Sequence, residues 1–132
     1  MIVVDTSVWI EFLGKRETPC DLHLKKLVEN GASLALTDII YCEILQGIRE
    51  DTTYRRTREI LRSYPILRVQ GLTTFDHAAA LYRTCRRHGL TIRSTVDCLI
   101  AATCLEADAA LYHNDRDFAA IANVSGLKLY RA

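Results

Sequence analysis

The chain has no apolar run approaching the ~20 residues that a bilayer-spanning helix needs. Its amino end also lacks the basic stretch and small-residue cleavage site of a secretory leader. These absences make a cytoplasmic protein with no membrane partner the expectation. No Cys-x-x-Cys pair is present, and the five cysteines, Cys20, Cys42, Cys85, Cys98 and Cys104, are odd in number. That argues against a disulfide framework and against a thiolate zinc site, and it leaves most of them as small apolar residues. No histidine or cysteine recurs at metal-ligand spacing, which weighs against transition-metal chemistry. A charge excess is missing too. The 17 Lys and Arg against 16 Asp and Glu leave a formal net charge of +1, so bulk charge gives no pointer to nucleic acid. There are no repeats, linkers or low-complexity segments. With 132 residues, 49% of them hydrophobic, a single domain spanning 1–132 is expected.

What is present is organised around the first thirteen residues, MIVVDTSVWIEFL. Ile2, Val3 and Val4 form the short apolar run of a strand buried on both faces. Asp5 ends it, and Val8, Trp9, Ile10, Phe12 and Leu13 follow at helical spacing. Thr18 and Pro19 have the chemistry of a helix start, and Asn30-Gly31 that of a stop. Further strands are predicted at 33–36, 66–69, 109–112 and 127–130. Between them, helices are predicted from Thr37 or Asp38 through Ile48, over 54–64, over 75–88 with Thr73 or Thr74 as cap, over 96–107 with Thr95 as cap, and from Phe118. Asp51 to Thr53 read as a break. The stretch from Val96 to Ala107 is apolar nearly all round, as in a buried central helix. Strands alternating with helices imply an α/β fold, a three-layer sandwich whose central parallel sheet of four to five strands is flanked by helices.

In such a sheet, ligands bind at the carboxyl ends of the strands. Asp5 and Asp115 each directly follow a buried strand, so both are expected at that edge. Asp97 lies in the first turn of the central helix, where the dipole alone is enough to favour an acid. Glu43 sits among apolar residues of its helix, a costly place for a charge that is not paired, hydrated or bound to a cation, although an edge-of-face Glu reaching solvent explains it equally well. Carboxylates gathered there repel one another, and some take up protons unless a cation intervenes. A divalent ion with oxygen ligands, Mg²⁺ first and Mn²⁺ as a substitute, removes that conflict and suits phosphodiester chemistry. Arginines crowd two segments, Arg55 to Arg62 and Arg83 to Arg93. A solvated helix face explains one such cluster, whereas two beside an acidic site make phosphate contact plausible.

Four stretches, VVDTSVWIEFL, TDIIYCEILQGI, TVDCLIAATCLEADAALYHNDRDF and GLKLY, resemble PIN-domain ribonucleases of the VapC toxin type in order and spacing. The resemblance covers almost the whole chain and implies an Mg²⁺-dependent endoribonuclease using metal-activated water. It also implies a cognate VapB-type antitoxin, an RNA substrate and a homodimer, with the helices around Ile39–Ile48 and Tyr54–Tyr64 as candidate dimer surface. By the same resemblance Asp5, Glu43, Asp97 and Asp115 are the catalytic set. Asp5, Asp97, Asp115 and Asp117 are the metal ligands, with a helix-cap role equally open for Asp117. Thr6 and Ser7 support the ligands, and Arg93 and Arg116 are assigned to RNA. His113 stands where many relatives carry Thr or Ser.

Two other readings compete. A phosphatase of the haloacid-dehalogenase kind would use Asp5 as nucleophile, but it carries a second Asp where Ser7 stands. A catalytically idle PIN-like module would bind RNA or protein without needing the acids.

Overall fold

A computed structural model describes residues 1–132. The apolar Ile2–Val4 run forms β1, and Val3 and Val4 are fully buried. It is the middle strand of a five-stranded sheet of order β3-β2-β1-β4-β5, in which every pairing is parallel. The other strands are β2 (Leu34–Thr37), β3 (Ile66–Leu67), β4 (Ala110–Tyr112) and β5 (Lys128–Leu129). Seven helices flank the sheet: α1 (Thr6–Leu13), α2 (Pro19–Glu29), α3 (Asp38–Gln46), α4 (Asp51–Arg62), α5 (Leu72–Arg87), α6 (Thr95–Glu106) and α7 (Arg116–Asn123). The chain is thus an α/β sandwich with a parallel central sheet, as the alternation of elements predicts.

The strand order positions the site. From β1 the chain winds outward through β2 to the edge strand β3, then returns to lay β4 on the opposite side of β1 and ends at β5. The winding direction therefore reverses between β1 and β4, the topological switch point at whose carboxyl ends open α/β sheets bind ligands. The core beneath is continuous. Trp9 is fully buried against Phe12 and Tyr64, and Cys98 through Cys104 of α6 are all buried. That run fits the all-round apolar pattern of its sequence. Cys85 is buried with them, whereas Cys20 is half-buried and Cys42 exposed.

Several local expectations are corrected. The 51–53 stretch does not break the chain but opens α4. An Arg-rich helix anchored by few apolar residues gives periodicity little to register in its first turn. Ser94, not Thr95, caps α6, its Oγ accepting from the Val96 N–H at 3.1 Å. Both residues carry the capping hydroxyl, so composition cannot choose between them. Neither Thr73 nor Thr74 caps α5, which starts at Leu72 after Gly71 in a positive-φ conformation (φ 62°). Thr74 instead accepts from the Gln70 N–H and donates to Glu106. The last helix begins at Arg116, two residues before Phe118, with Asp115 as its cap rather than Asp117.

Candidate active site

Asp5 and Asp115 hold equivalent places, one just past β1 and the other in the turn after β4, and each caps the helix that follows. Asp5 Oδ2 accepts from the Ser7 N–H at 3.1 Å and from the Ser7 hydroxyl at 2.6 Å. Asp115 Oδ1 accepts from the Asp117 N–H at 3.0 Å. Ser7 also ties the two turns together, because its Oγ accepts from the Asn114 N–H at 2.9 Å. Its neighbour Thr6 reaches α3, donating to Glu43 Oε1 at 2.8 Å. The polar pair after Asp5 therefore fixes one carboxylate each, which is how supporting hydrogen bonds hold a reactive constellation in place.

Electrostatics bring the set together with Asp97. Its pKa is pushed up to about 7, first by burial and then by the charges of Asp115, Asp5, Asp117 and Glu43. No hydrogen bond offsets this, since no donor reaches its carboxylate. Asp5 is raised mainly by burial, with the Ser7 hydrogen bonds acting in the opposite direction. Glu43 is raised by burial and by the Asp5 charge, against the pull of Thr6. Asp117 is buried and accepts from Arg93 Nε at 3.1 Å, and a second guanidinium nitrogen of Arg93 lies 3.4 Å from Asp115. Arg93, assigned to RNA from the sequence, here neutralises the site's own acids. Arg116 is exposed at the start of α7. His113 packs its ring edge-on to Phe118, and its Nδ1 accepts from the Asp115 N–H at 3.0 Å. Burial holds its pKa below the ordinary histidine value, against the raising effect of Asp5 and Asp115.

As the side chains stand, no three Asp, Glu, His or Cys converge tightly enough to grip one ion in common. Mutual repulsion and the pull of Arg93 on Asp115 and Asp117 act in that direction. The donor chemistry nevertheless suits a hard cation. All the donors are oxygens, they carry excess negative charge, and Mg²⁺ is usually held by one or two carboxylates and several waters. Two features lay outside sequence reasoning: the Asn114 backbone link to Ser7, and the pairing of Arg93 with Asp115 and Asp117. Neither leaves a spacing signal, since one is a main-chain donor and the other crosses 22 and 24 residues.

The fold is a doubly wound α/β domain with a parallel sheet of order 3-2-1-4-5 and acids at its switch point, and residues 2–124 match the PIN domain model. Ribonuclease VapC11 of Mycobacterium tuberculosis and VapC ribonuclease Mb1587 of Mycobacterium bovis are each 36% identical to it over 129 residues. The match covers 97% of this chain and 96% of theirs. A solved chain in the complex of VapBC2 from Rickettsia felis with promoter DNA shares the fold, with a TM-score of 0.77 at 20% identity over 98% of both chains. The chain belongs to the PIN-domain family, in its VapC ribonuclease branch.

Proposed function

We propose that the chain is an Mg²⁺-dependent endoribonuclease, with Mn²⁺ as a substitute ion, and the toxin of a toxin–antitoxin pair. The observation that carries this reading is the strain on Asp97. A carboxyl driven to about 7 by burial and four other acids marks a site arranged for positive charge, and perturbed groups in a cleft favour function over packing. The bound ion would supply Lewis-acid activation of the phosphodiester and of the attacking water. The residues around it divide the rest of the work. Asp5 and Asp97 would hold the ion, and Thr6 holds Glu43 beside them. Asp115, fixed by its own turn, orients water, and Asp117 keeps Arg93 at hand. Were a cation to take over the charge of these acids, the exposed guanidinium of Arg93 would be available, with Arg116, to an RNA phosphate.

The relatives' names support the ribonuclease assignment, and the solved chains of like fold come from toxin–antitoxin complexes. A VapB-type antitoxin, a homodimer built on α3 and α4, and a cytoplasmic location belong to the same reading. No helix is long and apolar enough to cross a membrane. The deciding assay is cleavage of total RNA by purified protein. Cutting is expected with Mg²⁺, and none with EDTA or in Asp5→Asn. Protein that binds RNA yet leaves it whole with either ion is an idle RNA-binding module instead.

Arg93 gives a second prediction. Its side chain is more than half exposed (59%), so solvent screens the ion pairs and they add little to stability. Arg93→Gln is expected to melt within a few degrees of the wild type. It is also expected to bind Mn²⁺ more tightly and RNA about threefold more weakly, with a shallower salt dependence. Titration calorimetry reads the first effect and fluorescence anisotropy the second. Unchanged Mn²⁺ affinity would mean that Arg93 does not compete for the acids.

A further inference from the structure

A cavity of about 450 Å³ opens beside the acidic turn, between the start of α2 and the carboxyl ends of β4 and β5. Its size is that of a small-ligand pocket, ~300–1,000 Å³. None of the five acids lines it. Tyr112, His113, Tyr130 and Arg131 do, together with Pro19 and Cys20. The sheet register accounts for these walls. Pairing of Leu111 with Leu129 sets Tyr112 beside Tyr130, with ring centroids 5.3 Å apart and edge-on. His23 of α2 closes the group, 5.8 Å from the Tyr112 ring and 5.6 Å from that of Tyr130. Both hydroxyls are engaged within the protein. Tyr112 donates to the Cys20 carbonyl at 3.1 Å, and the Tyr130 hydroxyl shares a 2.8 Å hydrogen bond with His23 Nε2. The aromatic wall is therefore rigid, and ordering it on binding costs little entropy.

His113 joins this cavity to the acids. Because its Nδ1 accepts from the Asp115 N–H, the neutral ring carries its proton on Nε2. One imidazole thus supports the acidic turn and lines the cavity next to it. Arg131 at the rim is exposed and enters none of the protein's ion pairs.

We propose that the cavity is a subsite for the nucleotide adjoining the cleaved phosphate, its base stacked on Tyr130 and His113 and its backbone phosphate met by Arg131. A base fits the lining, having apolar faces for the rings and a polar edge for the His113 Nε2–H. The free cation beside an aromatic wall, continuous with an acidic centre, is the pattern of a single-strand track rather than of a peptide groove. Stacking admits any base but favours the larger face of a purine. The inference rests on the ribonuclease reading and deepens it.

The test uses short single-stranded RNA of randomised sequence, with Mg²⁺ and an Asp5→Asn background so that binding is read without cleavage. Tyr130→Leu keeps apolar bulk but removes the stacking face, and about tenfold weaker binding is expected. Tyr130→Phe should bind like the parent. Arg131→Gln, at an exposed position, should bind about threefold more weakly, with the log–log salt slope shallower by ~0.7. Sequenced cleavage sites of the active protein should show a purine preference at one flanking position, flattened by Tyr130→Leu in an otherwise wild-type chain. Unchanged affinity and cleavage pattern in Tyr130→Leu and Arg131→Gln, while the wild type cuts RNA, would overturn the subsite alone. Weaker binding of an antitoxin peptide with RNA binding intact would overturn it in favour of a protein groove. A wild type that cuts no RNA removes the ribonuclease reading and this one with it. Should Tyr130→Leu fail to fold, Arg131→Gln decides.

Discussion

Asp97→Asn is expected to abolish RNA cleavage and, above pH 7, to make the protein more stable than the wild type. The folded carboxyl titrates at about 7 against an ordinary 3.8. Between those values the native state holds a proton that the unfolded chain has lost, so native stability falls as pH rises through the window. Above pH 7 the whole penalty is present, and below pH 4 none of it is. Asparagine has nearly the same shape and no charge, so it removes the penalty. The expected gain is about 1–3 kcal/mol at pH 8, shrinking to nothing at pH 4, with the charge screened in part by solvent. Cleavage should drop by ~10²–10³-fold or more, the scale of losing one charged group aimed at the reaction centre. Thermal unfolding at pH 5 and pH 8, alongside a cleavage assay, measures both effects. A variant that gains nothing at pH 8 would mean that the acids do not strain one another, and one that cuts like the wild type would remove Asp97 from the reaction.

The same repulsion separates what the sequence makes legible from what it hides. Asp5 and Asp115 are readable as neighbours in space because each follows an apolar strand, and a parallel sheet gathers such ends at one edge. The central α6 is readable because every side of it is apolar. Strand order is not readable. Nothing in Ala110–Tyr112 says that it returns to pair with Ile2–Val4 rather than adding beyond β3, yet that return makes the switch point. Side-chain choices between chemical equals are hidden as well. Thr6 and Ser7 are both hydroxyls after an Asp, and only the fold sends Thr6 to Glu43 and Ser7 to Asp5. Arg93 sits in a connector without periodicity, so its ion pairs with Asp115 and Asp117 had no sequence signature beyond one more arginine in a cluster. The strands predicted at 66–69 and 127–130 are shorter in the fold, β3 and β5 having two residues each. The last pairings at a sheet edge are decided by the neighbouring strand, not by the strand's own composition.

Ion binding supplies the second large effect, because an ion entering this site competes with a proton. At pH 6 most molecules hold Asp97 protonated, given its value of about 7. A ligating carboxylate must be ionised, so binding there releases that proton. The apparent dissociation constant for Mg²⁺ is therefore expected to rise about tenfold for each unit that the pH drops below 7 and to be level above it. Calorimetric titrations in two buffers of different ionisation enthalpy should count close to one proton released per ion at pH 6 and close to none at pH 8.5. The stability penalty of the empty acids reverses at the same point. Saturating Mg²⁺ should raise the melting midpoint more at pH 8 than at pH 5, with a gain at about 100 times the dissociation constant of ~2.7 kcal/mol. In Asp97→Asn the pH dependence should vanish while weak binding through Asp5 persists. Proton release unchanged in that variant would assign the titrating group elsewhere, to Glu43 or Asp5, whose values are also raised. An affinity flat from pH 5 to 8 in the wild type would mean that Mg²⁺ does not bind through these acids at all.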